Sequence, residues 1–256
     1  MMSWRWLLWL IPLYLLALVV LAPARLLLLA VDEQRMPLQL SAVSGSLWQG
    51  TASVNTALPT GGELQLNGVQ WQVNPWALMT GRALLTLDIP ASNVLFGHAQ
   101  LDVTSSTVQL NANLQGALQS AIQQLQLPVP ITLAGNFELQ IDDYQLHDWQ
   151  SRKFCDTLSG QLTTRDTEMR LNQQWYPLGD YLTQLTCTAQ NGIQAKIDDN
   201  NLVGLRLNAL VNGNFAAPQV RVDGSLKPTL QTPKPVTDML VFLGNPDAQG
   251  RYTFKW

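Results

Sequence analysis

Apolar residues return at every second position along most of this chain after Asp32, and a period of two rather than 3.6 calls for strands. Ile131, Leu133, Phe137, Leu139 and Ile141 hold one phase, with Gly135 in the vacant slot. Val108, Leu110, Ala112 and Leu114 repeat it, as do Leu205, Leu207, Ala209 and Val211, and then Val220, Val222 and Leu226. Tyr252, Phe254 and Trp256 read as a terminal strand. Gln, Asn, Thr and Asp fill the alternate positions, the pattern of antiparallel strands with one solvated side. The expected fold is mainly β, with about 10–13 strands and a few short helices at corners.

Local signals refine this reading. Leu64 and Leu66 alternate in one phase, whereas Val69, Trp71 and Val73 alternate in the other, with Asn67-Gly68 at the switch. A slip of one residue exchanges the faces of a strand, so a turn or a bulge belongs there. Asn74-Pro75-Trp76-Ala77-Leu78-Met79-Thr80-Gly81 places an N-cap, a first-turn proline and a terminating glycine around one short helix. Helical spacing also marks Leu114–Leu125 and Val236–Leu243, and Pro177–Leu185 as a third candidate.

The N-terminal part obeys a different rule. The 19 residues between Arg5 and Arg25 carry no charge, and at 1.5 Å per residue they reach roughly 28 Å, close to the thickness of a bilayer core. Trp4, Trp6 and Trp9 suit a membrane boundary. Ala22-Pro23-Ala24 resembles a signal-peptidase site, but the apolar run is longer than an ordinary signal core and continues through Leu26–Val31. The expected organisation is a cytoplasmic tail over 1–5, a transmembrane helix over 6–31 and a β-rich periplasmic domain over 36–256. That domain has two conceivable similar halves, about 36–127 and 128–256. The expected topology is single-pass, with the bulk of the chain in an external, periplasm-like compartment.

Composition narrows the partners. Charged residues make up 13% and the net charge is −3, with basic residues scattered, so no electrostatic footprint for nucleic acid exists. Cys155 and Cys187 stand 32 positions apart. In an oxidising compartment they form a disulfide; the alternative is two buried thiols acting as small apolar residues.

Catalytic patterns are missing: no G-x-S-x-G, H-E-x-x-H, Walker A or G-x-G-x-x-G after a strand occurs. His147 with Asp142, Asp143 and Asp148 reads as a polar turn rather than an acid–base or metal cluster. Asp198-Asp199-Asn200-Asn201 lacks the glycine and the terminal acid of a calcium loop and reads as a hairpin turn. Ser44 and Ser46 have no base at a usable spacing. The chain is read as a non-enzyme without cofactor or metal.

The order of motifs along the chain resembles a known family. It begins with Pro23-Ala24-Arg25 and Ser44-Gly45-Ser46-Leu47-Trp48-Gln49-Gly50. Val69, Trp71, Val73, Pro75 and Gly81 follow, and Leu243-Gly244-Asn245-Pro246-Asp247 with Gly250-Arg251-Tyr252 closes the series. The set is similar to the type II secretion system protein N family, the general secretion pathway protein N. The resemblance implies placement in the cell inner membrane of a Gram-negative bacterium, single-pass, with the bulk of the chain in the periplasm. It implies a protein accessory to the machine that moves folded proteins through an outer-membrane secretin. Its implied partners are the inner-membrane platform and the periplasmic part of the secretin; it implies no catalytic residues. The Trp-rich strand–turn–strand pattern also resembles AsmA-like proteins, whose grooved sheets are associated with lipid. Under that alternative Trp48, Trp71, Phe96 and Phe137 line an apolar trough. An open apolar face favours lipid, and a filled core with a bare sheet edge favours docking.

Overall fold

The computed structural model describes residues 14, 17, 18, 20–26, 38–57, 62–125, 132–148, 153–214 and 217–255. Among the described residues thirteen strands form one sheet in sequential order, each antiparallel to the next. They are β1 (Leu38–Gly45), β2 (Gln49–Ala57), β3 (Glu63–Asn74), β4 (Ala83–Ile89), β5 (Leu95–Val103), β6 (Thr107–Ala117) and β7 (Leu133–His147). Then follow β8 (Thr157–Leu171), β9 (Gln174–Cys187), β10 (Ile193–Ile197), β11 (Leu205–Asn214), β12 (Ala217–Leu226) and β13 (Tyr252–Lys255). Three short helices punctuate the meander: α1 (Pro75–Leu78), α2 (Leu118–Leu125) and α3 (Lys234–Met239), the last continued by a 3-10 turn at Leu240–Leu243.

The phase switch at Asn67-Gly68 is a bulge inside one strand, not a turn. Ala52 pairs with Val69 whereas Val54 pairs with Leu66, so β3 carries one extra residue there. Gly68 absorbs it at φ +64°. The extra residue returns Val69, Trp71 and Val73 to the face that holds Leu64 and Leu66.

The helix at Asn74-Pro75 forms as expected, with Asn74 Oδ1 accepting the Trp76 N–H at 3.0 Å. So does the helical segment over 236–243. Two helical expectations are corrected. Residues 177–185 lie inside β9, which pairs with β8 on one side and β10 on the other. Residues 114–117 finish β6, and the helix begins only at Leu118.

The expected transmembrane helix over 6–31, and with it the single-pass placement in the inner membrane, is also corrected. No helix among the described residues is long and apolar enough to cross a membrane. The described end of that segment has a reason to leave the helix. Leu47 N–H donates to the Ala22 carbonyl at 2.9 Å, and Pro23 bridges to Ser46. Ala22 and Ala24 are buried, and Ala24–Leu26 is a 3-10 turn against β1. Residues 22–26 thus belong to the β domain. Residues 6–13, 15, 16, 19 and 27–31 of that segment, the tail over 1–5 and the boundary between the two conceivable halves lie outside the described residues. The sheet runs through both halves without a break, because β6 pairs with β7 along its length.

Candidate functional site

In a single-layer meander the two faces and the two outer edges are the available surfaces. Register sorts the faces. One cross-strand row starts at Gly50 and Trp71, then passes Leu87, Ala99, Ala112, Ile141, Gly160, Leu185, Ala195 and Ala209, and ends at Val222. It crosses every strand from β2 to β12 without a polar side chain. The neighbouring row holds Ser44, Thr51, Gln70, Asp88, His98, Asn113 and Gln140, then Gln161, Gln184, Lys196, Asn208, Asp223 and Lys255. That row crosses all the strands without an apolar one. Along these two rows the pleat therefore separates an apolar face from an amide-rich one.

Among the described residues all strands belong to this one sheet, and no second sheet packs on the apolar row. Of its members only Ala112 is fully buried; the rest are partly buried. The compact core lies to one side, where Met169, Leu178, Val203 and Val236 pack together under α3. Burial there pushes the Tyr181 hydroxyl up to about 12, and it donates to the Leu178 carbonyl at 3.0 Å. The helix α2 touches β3, β6 and β7 and covers one end only. A sheet whose apolar face is only partly buried still offers apolar surface to a partner.

Glycines on this face are matched to aromatic rings in the next strand. A β-carbon on Gly50 would come within 2.5 Å of the Trp71 ring, and one on Gly116 within 2.8 Å of Phe137. Gly224 is covered in the same way by Phe254. Each ring lies across the neighbouring backbone and replaces the contacts that the glycine lacks. Phe96 does not join them: it pairs with Gln115 and falls on the amide-rich side, so the four-aromatic trough is not assembled as expected.

Ser44, Gly45, Ser46, Leu47, Trp48, Gln49 and Gly50 build a clasp rather than a reactive site. Gly45, at φ +99°, turns the chain where a β-carbon would lie 2.5 Å from the Gln49 carbonyl oxygen. Ser46 N–H donates to that carbonyl at 2.8 Å, and Ser44 Oγ lies 2.8 Å from Thr51 Oγ1. Trp71 Nε1–H donates to the Leu47 carbonyl at 3.3 Å, while Val73 N–H donates to that of Trp48 at 2.7 Å. Pro75 opens α1 directly beyond, and Gly81, at φ +75°, ends the turn after it. All ten of these motif positions gather at the β1–β2 and β3–β4 connections, which share one end of the sheet.

The same end holds the cysteines. Cys155 and Cys187 are bonded, with Cα atoms 6.1 Å apart, tying the β7–β8 connection to the end of β9. Asp156 beside them accepts from Lys153 Nζ at 2.8 Å and from the His147 backbone N–H at 2.6 Å, which hold its carboxyl below the usual range. The other acids around His147 point elsewhere: Asp142 accepts from Gln140 and Asp143 from Gln145. Asp199, in the expected turn at 198–201, pairs with Arg206 at 2.8 Å and with Arg251. It anchors the β10–β11 loop to the segment before β13. Among the described residues no group of His, Cys, Asp or Glu is placed to hold a metal ion.

The continuity of the two rows was the feature that sequence reading missed. Alternation within each strand was visible, but the register between strands was not.

Comparison with known proteins agrees with the architecture. The family model described as type II secretion system (T2SS), protein N matches residues 36–255, which span β1 to β13. A type II secretion system protein N of Aeromonas hydrophila is 26% identical over 220 residues, 85% of this chain and 83% of the relative. One from Vibrio cholerae serotype O1 is 27% identical over 228 residues, again 85% and 83%. No solved structure matches the chain.

Proposed function

The chain belongs to the type II secretion system protein N family, and from that premise we propose that it is a non-enzymatic accessory component of the type II secretion machinery. Its work is in the export of folded proteins across the outer membrane. The observation that carries this reading is the family match, which covers the sheet from its first strand to its last. The Cys155–Cys187 bond supports a periplasmic setting for the domain, because such bonds persist in oxidising compartments. Its partners are other components of the machine, the inner-membrane platform and the periplasmic part of the secretin. The clasp at 44–50 and the cysteine tie serve the scaffold and carry no chemistry. The test is deletion of the gene in a Gram-negative host that carries the system. Secreted proteins then accumulate in the periplasm, and the wild-type chain restores export; unchanged export without the gene contradicts the reading.

A second reading rests on a separate observation, the partly buried but continuous apolar row from Trp71 to Val222. A continuous apolar strip on a single-layer sheet suits acyl chains, which need contact area and no hydrogen bonds. Under this reading the chain holds lipid as part of its work. Solvent extraction of the purified chain, followed by mass spectrometry, decides it: lipid recovered in a fixed ratio to protein supports it, and none recovered contradicts it.

A further inference from the structure

The sheet has two outer edges, and they are not alike. Along β1 the ladder is broken by a register shift between Ser41 and Ser44, with Ala42 at φ +50°, and the 3-10 turn at Ala24–Leu26 packs against the strand. A bulge of this kind blunts an edge against further pairing. At the other side β13 is short. It pairs only with Asp223–Leu226, so Ala217–Val222 of β12 has no strand beside it among the described residues. Among the described residues those six offer about 20 Å of backbone with no strand beside it, collinear with β13.

Side chains along this step specify what it accepts. Val220, 46% exposed, and Val222 end the apolar face, opposite Val211 and Ala209. On the amide-rich face two cations, Arg221 and Lys255, share one carboxylate, Asp223, at 2.9 and 3.9 Å. That leaves a positive surplus at the rim. Pro218 lacks an N–H, but a strand with an unpaired outer side tolerates it.

We infer that the step beyond β13 takes an extended segment of a partner protein as the next strand of the sheet, antiparallel to β12. The segment places apolar side chains beside Val220 and Val222 and an acidic one beside Arg221. Main-chain hydrogen bonds supply affinity, and the alternating side chains supply selection. This rests on the reading of the chain as one component of a larger machine and names the surface through which it docks.

The test uses the full-length chain and a blocked synthetic octapeptide that alternates valine with glutamate and threonine. Amide exchange over 217–222 should slow on adding the peptide, with 38–41 unaffected. Arg221→Glu should weaken binding about tenfold and favour a lysine-bearing peptide instead. Val220→Pro should abolish binding; should that variant fail to fold, the charge reversal alone decides. No slowing at 217–222, equal slowing at 38–41, or binding indifferent to the sign at 221 overturns the inference. A photo-cross-linker at Gln219, in cells with the complete machinery, separates the two levels. An adduct with a secretion component supports both. Peptide protection without any such adduct keeps the strand acceptor and overturns the machine as its partner.

Discussion

Trp71 lies across Gly50 on the adjacent strand, with its indole N–H donating to the Leu47 carbonyl at 3.3 Å. The ring closes the turn between β1 and β2 and starts the apolar row. A methyl group at Gly50 would meet the ring at 2.5 Å and also press on the Ser44 carbonyl. Gly50→Ala is therefore expected to destabilise the domain by about 1–3 kcal/mol, as overpacking does. Gly81→Asn, where a β-carbon meets nothing within 4 Å and φ is +75°, should cost under about 1 kcal/mol. Denaturant melts of the two variants check the contrast.

Removing Trp71 should cost more than filling Gly50. Trp71→Ala loses the indole hydrogen bond and uncovers the Gly50 backbone, an expected loss of about 2–4 kcal/mol. Trp71→Phe keeps the cover without the donor and should fall between. Equal melting of all three proteins would show that the ring is not part of the clasp.

The Cys155–Cys187 bond closes a loop of 32 residues, a constraint worth about 3–4 kcal/mol in the chain-entropy view. The double variant Cys155→Ala, Cys187→Ala should unfold at lower denaturant by that amount. Neither thiol of the wild-type chain should react with an alkylating reagent until reductant is added.

Asp156 sets an acid limit. Lys153 first, and then the His147 N–H, hold its carboxyl below the ordinary value in the folded state. Its contribution is complete above the unfolded value, about 4, and fades as pH falls through the lower folded value. Asp156→Asn should melt lower than wild type near neutral pH, and the gap should narrow as pH falls below about 4. A gap independent of pH would remove the ion pair from the account.

Tyr181 sets an alkaline one. Burial raises its hydroxyl to about 12, so the folded protein keeps it neutral while the unfolded chain ionises from about 10. Stability from this group is whole below about 10 and lost as pH rises through about 12. In an ultraviolet titration of the five tyrosines, Tyr181→Phe should remove a late-titrating one.

Much of the sheet was legible because each strand carries its own alternation. Ile131–Ile141 and Leu205–Val211 announced strands without help from the rest of the chain, and Asn74-Pro75 announced α1 through local capping chemistry. Pro177–Leu185 misled because apolar residues in a strand that begins near a proline also fit helical spacing over so short a span. The N-terminal run misled because length and lack of charge do not report a docking partner, and Ala22 and Pro23 find theirs at Leu47 and Ser46. The motif at 44–50 was visible, but its role as a clasp needed the position of Trp71, fixed by the one-residue bulge at Asn67-Gly68. The continuous apolar row was hidden because alternation shows which face of a strand is apolar, not how neighbouring strands align.

The account stands on the chain working inside the type II secretion machinery. The most direct measurement is affinity purification of the tagged full-length chain from cross-linked cells with the system intact, with each secretion component quantified. The account predicts platform or secretin components recovered in fixed ratio to the chain. Recovery of none of them, from cells in which the machine is assembled and exporting, would contradict it.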